Sequence, residues 1–166
     1  MKFAYADPPY LGCAKKRYGN SFYDDPFNQI DLLQSLDQGQ YDAWAFSLHE
    51  PSLKVLSPHL PEGARIAAWV KPFAVFKRGV DPAYTWEPIF FKTARKWNKN
   101  QDTVRDHLSC NIALKKGLVG AKPDGFWLWL FELLGAEPGD EFHDLFPGTG
   151  RGTEMWKQFC KSKLET

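Results

Sequence analysis

Cysteine is scarce. The chain has three, Cys13, Cys110 and Cys160, far apart and without the paired spacing of metal ligands. An odd, sparse set excludes a disulfide framework and reads as free thiols in a reducing compartment. Long apolar runs are also missing: none approaches the roughly 20 residues needed to cross a bilayer. The N-terminus enters a short apolar run directly, with no basic-then-apolar leader, so the expectation is a cytoplasmic protein without membrane contact. Neither sign of charge dominates, since Lys and Arg number 21 against 20 Asp and Glu, a formal net charge of +1. That balance excludes a globally basic nucleic-acid binder and leaves any polyanion contact to local patches. His59, His107 and His143 have no Ser or Cys partner pattern to recruit them to nucleophilic catalysis, and no metal site is expected. Internal repeats and low-complexity tracts are absent.

What the chain does have is aromatic bulk, with 7 Trp and 13 Phe in 166 residues, enough for a sizeable aromatic core in one domain spanning 1–166. Short apolar runs bounded by Pro, Gly and charge predict strands over about 2–6, 43–48, 65–70, 86–91 and 141–146. Helical spacing predicts helices over 30–36, from Pro51 to Leu60, from Asp124 to Leu134, and from Thr153 to about Lys161. Strands alternating with helices give an α/β fold, with helices on both faces of a mixed sheet. The link between the third and fourth strands lacks a helix pattern, so these two are expected to run antiparallel.

The first chemistry-bearing stretch is Asp7-Pro8-Pro9-Tyr10, placed at the end of the first strand. Two prolines stop the strand and hold the backbone extended. One carboxylate and the Pro8 carbonyl are thereby fixed at a strand's carboxyl end, with the Tyr10 ring beside them. Two rigid acceptors and an aromatic face suit a flat substrate bearing an NH2 group; a capped, proline-rich strand end is the bland alternative. Lys15, Lys16 and Arg17 follow, interleaved with Tyr18, Phe22 and Tyr23, which suits a nucleic-acid backbone or a solvated loop. His49 and Glu50 sit at the carboxyl end of the second strand, where open α/β sheets place ligands. A second basic cluster, Lys92, Arg95, Lys96 and Lys99 around Trp97, reads equally as polar surface or as a nucleic-acid contact.

The second stretch is Asp144-Leu145-Phe146-Pro147-Gly148-Thr149-Gly150: a strand, a glycine turn and a helix start. Glycines let the backbone approach a ligand closely, and helix-start N–H groups face it. No Lys-Ser/Thr follows the glycines, which argues against an NTPase phosphate loop.

Together these stretches resemble a known family. Asp7-Pro8-Pro9-Tyr10 is similar to the Asp-Pro-Pro-Tyr motif of S-adenosylmethionine-dependent amino-methyltransferases. Asp144, Phe146, Gly148 and Gly150 match that family's cofactor motif, with Leu145 where Pro is usual, and Lys122-Pro123 resembles a third motif that cradles the cofactor's methionine end. The order, catalytic motif first and cofactor motifs last, is that of the class beta enzymes. The resemblance implies a permuted, truncated Rossmann-like methyltransferase fold of about five strands in the spatial order fifth, first, second, fourth, third, the fourth antiparallel. It implies S-adenosylmethionine as cofactor, held by Lys122, Pro123, Asp144, Phe146, Gly148, Thr149 and Gly150. It implies methyl transfer to the exocyclic amine of adenine in DNA, double- or single-stranded, less often cytosine. Asp7, Pro8, Pro9 and Tyr10 would carry the chemistry, while Lys15, Lys16, Arg17 and His49 contact substrate. Residues 101–120 occupy the place of a short target-recognition segment. The family also has a later strand carrying an acid for the cofactor ribose. Here only Glu165 lies at a comparable distance, so two strands of the usual seven are not placed. An inactive methyltransferase-like subunit, an enzyme acting on RNA or a free nucleotide, and a homodimer or partner subunit all remain open.

Overall fold

The apolar runs pair into one six-stranded sheet, described here in a computed structural model for residues 1–19, 22–73, 78–96, 102–113 and 121–165. The strands are β1 (Lys2–Ala6), β2 (Ala43–Ser47), β3 (Arg65–Val70), β4 (Trp86–Lys92), β5 (His107–Ser109) and β6 (Glu141–Asp144), in the spatial order β5-β3-β4-β2-β1-β6. β1 pairs in parallel with β2 and β6, and β3 in parallel with β5, whereas β4 runs antiparallel to both its neighbours. The expected order of five strands is thus present, with two corrections. A sixth strand, β5, extends the sheet beyond β3. The last strand stops at Asp144 rather than at 146, because the chain leaves the sheet two residues before the Pro147 turn.

The sheet is covered on both faces, and alternation along each strand divides the side chains between them. Phe3 and Tyr5 of β1, Trp69 of β3 and Phe91 of β4 face α4 (Asp124–Leu134) and α5 (Arg151–Leu164), meeting Phe126, Trp127, Phe131, Met155 and Phe159. Ala4, Ala6, Trp44, Phe46 and Phe90 face the other way, against Leu33 of α2 (Pro26–Ser35), Leu36 just past it, and Leu56 of α3 (Leu53–Leu56). Burial on both faces is why β1 and β2 read as continuous apolar runs. Each fully buried Phe or Leu contributes roughly 1.5–3 kcal/mol as an upper figure, so these two layers dominate the stability.

Helix ends follow local chemistry. Asp25 caps α2 by accepting a hydrogen bond from the Phe27 amide at 2.9 Å, with Pro26 at the first helical position. That start lies four residues before the expected one. Gly135 closes α4 in the left-handed conformation at φ 71°. The helix expected over 51–60 is broken into α3 and flanking 3-10 turns at Glu50–Ser52 and Ser57–His59, with Pro58 in the second turn. A short helix, α1 (Ala14–Tyr18), stands where a loop was expected. Among the described residues no helix is long and apolar enough to cross a membrane.

Candidate active site

Because β1 and β6 lie side by side and parallel, the Asp7 turn and the glycine turn emerge at adjacent carboxyl ends. The Leu145 amide donates to the Tyr5 carbonyl at 2.9 Å, and the Phe146 ring packs edge-on against Tyr23 with centroids 5.3 Å apart. Gln29, buried on α2, donates through Nε2 to the carbonyls of Pro9 and Tyr23, both at 2.8 Å. The Pro9 carbonyl is therefore occupied, and among the described residues no donor reaches the Pro8 carbonyl. Pro8 itself is buried, while Asp7, Pro9 and Tyr10 are half-buried.

The centre of the site is the Lys122 ammonium. Its side chain is only 4% exposed; its ammonium donates to Glu87 Oε2 at 2.8 Å and to Tyr10 Oη at 3.2 Å, and pairs with Asp7 Oδ2 at 3.3 Å. The ammonium also lies over the rings of Trp69 and Phe126, at 5.3 and 5.6 Å from their centroids. Glu87 in turn accepts from the Tyr10 hydroxyl at 3.0 Å and, through Oε1, from Lys71 Nζ at 2.9 Å. Two cations and two carboxylates thus balance in a largely dry cluster. Removing one partner from such a buried pair costs roughly 3–5 kcal/mol, because its counter-charge stays buried.

The electrostatics follow from that arrangement. Burial pushes the Glu87 carboxyl up, but Lys122 and Lys71 outweigh it and hold the group down at about 2. Burial also lifts Asp7 above the ordinary carboxylate range, against the pull of Lys122 and with the push of Glu87. Lys122 is disfavoured as a cation by burial, yet Asp7 and Glu87 raise it well above an ordinary lysine. Burial, then the Asp7 charge, raise the Tyr10 phenol, so it stays protonated and donates.

Tyr10 also stacks on His49, with ring centroids 5.0 Å apart and planes 15° from parallel, so two of the residues singled out from sequence meet directly. Lys15 and Lys16 are exposed on α1, whose first amides, Ala14 and Lys15, are held by the Asp24 carboxylate at 2.8 and 3.0 Å. Those amides lower the Asp24 pKa. The side chain of Arg17 falls outside the described residues, as do Trp97 and Lys99 of the second basic cluster and 114–120 of the expected recognition segment.

On the other side of the cleft, Gly148 and Gly150 take φ of 49° and 76°, where a Cβ would be strained. Gly148 and Thr149 are exposed, and Gly150 leads into α5. Gly152, one residue inside that helix, is there for space: a Cβ would stand 2.5 Å from Asp144 Oδ2 and 2.7 Å from the Trp127 ring. Burial, together with the nearby Asp7 charge, lifts the Asp144 carboxyl to about 6, although its Oδ1 accepts from the Phe146 amide at 3.2 Å. A cavity of about 160 Å³ opens between this turn and the start of α4, lined by Lys122, Asp124, Thr149, Arg151 and Glu154, with Ala113 and Ala121. Arg151 bridges its rim, pairing with Asp124 at 2.6 Å and with Glu154 at 2.6 Å. A larger hollow of about 600 Å³ lies at the other end of α4, beside Trp129, Glu132 and Lys163, away from both turns.

Lys122, assigned by resemblance to the cofactor's methionine end, lines the cavity, and its ammonium also pairs with Asp7, Glu87 and Tyr10. The residues that sequence reasoning missed are Glu87, Lys71 and Arg151. Glu87 did carry a signal: it is an acid inside the apolar run of β4, next to Pro88, where a charge needs a buried partner. Lys71 directly follows β3 and Arg151 directly follows the glycine turn, positions that carry no local signal of their own. Among the described residues no group of three or more His, Cys, Asp or Glu is placed to hold a metal ion.

No protein-family model and no curated protein sequence matches the chain. Solved structures do. The crystal structure of an M1.HpyAVI–SAM complex is similar with a TM-score of 0.65 at 16% identity, covering 95% of this chain and 78% of that one. A crystal structure of M1.HpyAVI alone gives a TM-score of 0.59 at 15% identity, covering 96% of this chain and 76% of that one. At such identities the likeness is one of fold, and it runs through nearly the whole length of the chain.

Proposed function

We propose that the chain transfers a methyl group from S-adenosylmethionine to the exocyclic amine of adenine in DNA. The observation that carries this reading is the adjacency of the two turns: the Asp7 turn and the Gly148 turn lie at neighbouring carboxyl ends of β1 and β6, tied by the Tyr5–Leu145 hydrogen bond. Open α/β sheets bind ligands at such ends. The similarity in fold to a protein solved with SAM supports it.

The residues around the glycine turn fit the proposed cofactor. The cavity of about 160 Å³ is smaller than a full ligand site and matches one end of a cofactor. Its lining carries both signs, with Asp124 and Glu154 for an ammonium and Arg151 and the α5 amides for a carboxylate, as a zwitterionic methionine end requires. Thr149 lines this cavity, and Gly148 and Gly150 beside it would bring backbone close to the cofactor. S-adenosylmethionine supplies a methyl group on a cationic sulfur, which needs little activation of the nucleophile.

The protein's own part is orientation. The Pro8 carbonyl and the Asp7 carboxylate accept the two amine hydrogens, turning the nitrogen lone pair toward the donor. Asp7 can take up the proton released after transfer. Tyr10, its hydroxyl fixed by Glu87 and Lys122 and its ring backed by His49, offers an aromatic wall for the base. A base reaches this wall only from a single strand or after extrusion from a duplex. Lys15 and Lys16 supply charge for the phosphate backbone.

Calorimetric titration with S-adenosylmethionine tests the reading at its first step. Saturable heat is expected; its absence supports a binding subunit without cofactor. Competition among duplex DNA, single-stranded DNA, RNA and free nucleotide then identifies the substrate, with DNA expected to win.

A further inference from the structure

Glu87 plays no direct part in the chemistry just described, yet it is the best-connected acid in the site. Both its oxygens are used: Oε1 accepts from Lys71, while Oε2 accepts from Lys122 at 2.8 Å and from the Tyr10 hydroxyl at 3.0 Å. Lys122 stands closer to Glu87 than to Asp7, at 2.8 against 3.3 Å. The ammonium therefore leans on the carboxylate of β4, and Asp7 at the end of β1 is only partly engaged. Lys71 completes the balance: Lys71 and Lys122 carry two positive charges, Glu87 and Asp7 two negative ones.

We propose that Glu87 is a positioning residue: by holding the Lys122 ammonium and the Tyr10 hydroxyl on one carboxylate oxygen, it keeps Asp7 open to the incoming amine. This rests on the reading of Asp7 given above. Without the Glu87 charge, Lys122 has a single carboxylate left, and it closes onto Asp7 and occupies the oxygen the amine needs. The cluster also gains one net positive charge in a cleft proposed to take a cationic methyl donor. The charged and titratable groups facing Asp7 are Lys122, Glu87, Tyr10, Tyr5 and Asp144, with Lys71 reaching it through Glu87. Of these, Glu87 is the one that touches both Lys122 and Tyr10.

The test uses Glu87→Gln, which keeps the shape, beside Glu87→Asp and the unaltered protein. Two readouts are taken: the titration of the Asp7 carboxyl by carbon NMR in the free protein, and methyl transfer to an adenine-containing oligonucleotide. Glu87→Gln is expected to move the Asp7 midpoint to lower pH, because a like charge is removed. It is expected to lower kcat by about tenfold or more with KM for S-adenosylmethionine little changed, and Glu87→Asp recovers part of the loss. A shifted midpoint with full turnover overturns the proposal, as does lost turnover with an unmoved midpoint. If the unaltered protein transfers no methyl group, the proposed function fails on its own. The titration then decides alone: a lower midpoint supports the coupling of Glu87 to Asp7, and an unmoved one overturns it.

Discussion

The amide of Leu145 donates to the carbonyl of Tyr5 at 2.9 Å, joining the last strand to the first. Asp7 lies two residues beyond Tyr5, and Phe146 one residue beyond Leu145. The β1–β6 ladder, which this bond extends, therefore sets the spacing between the acceptors proposed for the amine and the turn proposed for the cofactor. The strands between them in the chain contribute Glu87 on β4 and Trp69 on β3, both of which contact the Lys122 ammonium.

If Lys15 and Lys16 touch phosphates, changing both to alanine weakens DNA binding without altering heat released with S-adenosylmethionine. Each lost phosphate contact removes about 0.9 from the slope of log K against log salt on duplex DNA, so the pair removes up to about 2. Fluorescence anisotropy across a salt series reads this out. An unchanged slope assigns these lysines to solvated surface.

Gly152→Ala places a methyl group against the Asp144 carboxylate and the Trp127 indole, at 2.5 and 2.7 Å before relaxation. The Trp127 ring is held by the core, so the helix must shift outward. Overpacking of this kind costs roughly 1–3 kcal/mol. Urea unfolding measures it, and a variant as stable as the parent contradicts the close packing of α5 on β6.

Burial lifts Asp144 to about 6, against an unperturbed 3.8. The folded protein then holds this proton more tightly than the unfolded chain. Its contribution to stability falls as pH rises from about 4 to about 6 and stays level above that. Asp144→Asn removes the titration and keeps an acceptor for the Phe146 amide. The variant is expected to melt higher than the parent above pH 6, with the gap closing toward pH 4. Melting curves of both proteins from pH 4 to 8 decide it; a gap independent of pH contradicts the burial of this carboxyl.

Much of the fold was legible because both faces of the sheet are buried. Runs such as Phe3 to Ala6 and Ala43 to Phe46 are unbroken, so strand existence and order could be read from apolar content and linker type. Helix α4 was bounded correctly by Asp124 and Gly135, which mark its ends chemically. β5 was not legible: His107, Leu108 and Ser109 have no pattern of their own and pair because β3 offers a free edge. Nor was α1, whose start is held by Asp24 from a separate turn. The start of α2 is marked by Asp25-Pro26, four residues ahead of the apolar stripe that begins at Ile30. In the site, local motifs located Asp7, Tyr10 and the glycine turn. The convergence of Lys122 and Glu87 on them is tertiary, and no local spacing encodes it.

The most direct measurement is incubation of the protein with methyl-labelled S-adenosylmethionine and mixed-sequence DNA, followed by digestion and nucleoside analysis, with Asp7→Ala in parallel. The account predicts label in N6-methyladenine for the parent. It predicts a loss of at least about 100-fold for a folded Asp7→Ala protein that still binds cofactor. Label carried equally by both proteins, or no labelled nucleoside from a parent that binds the cofactor, would contradict it.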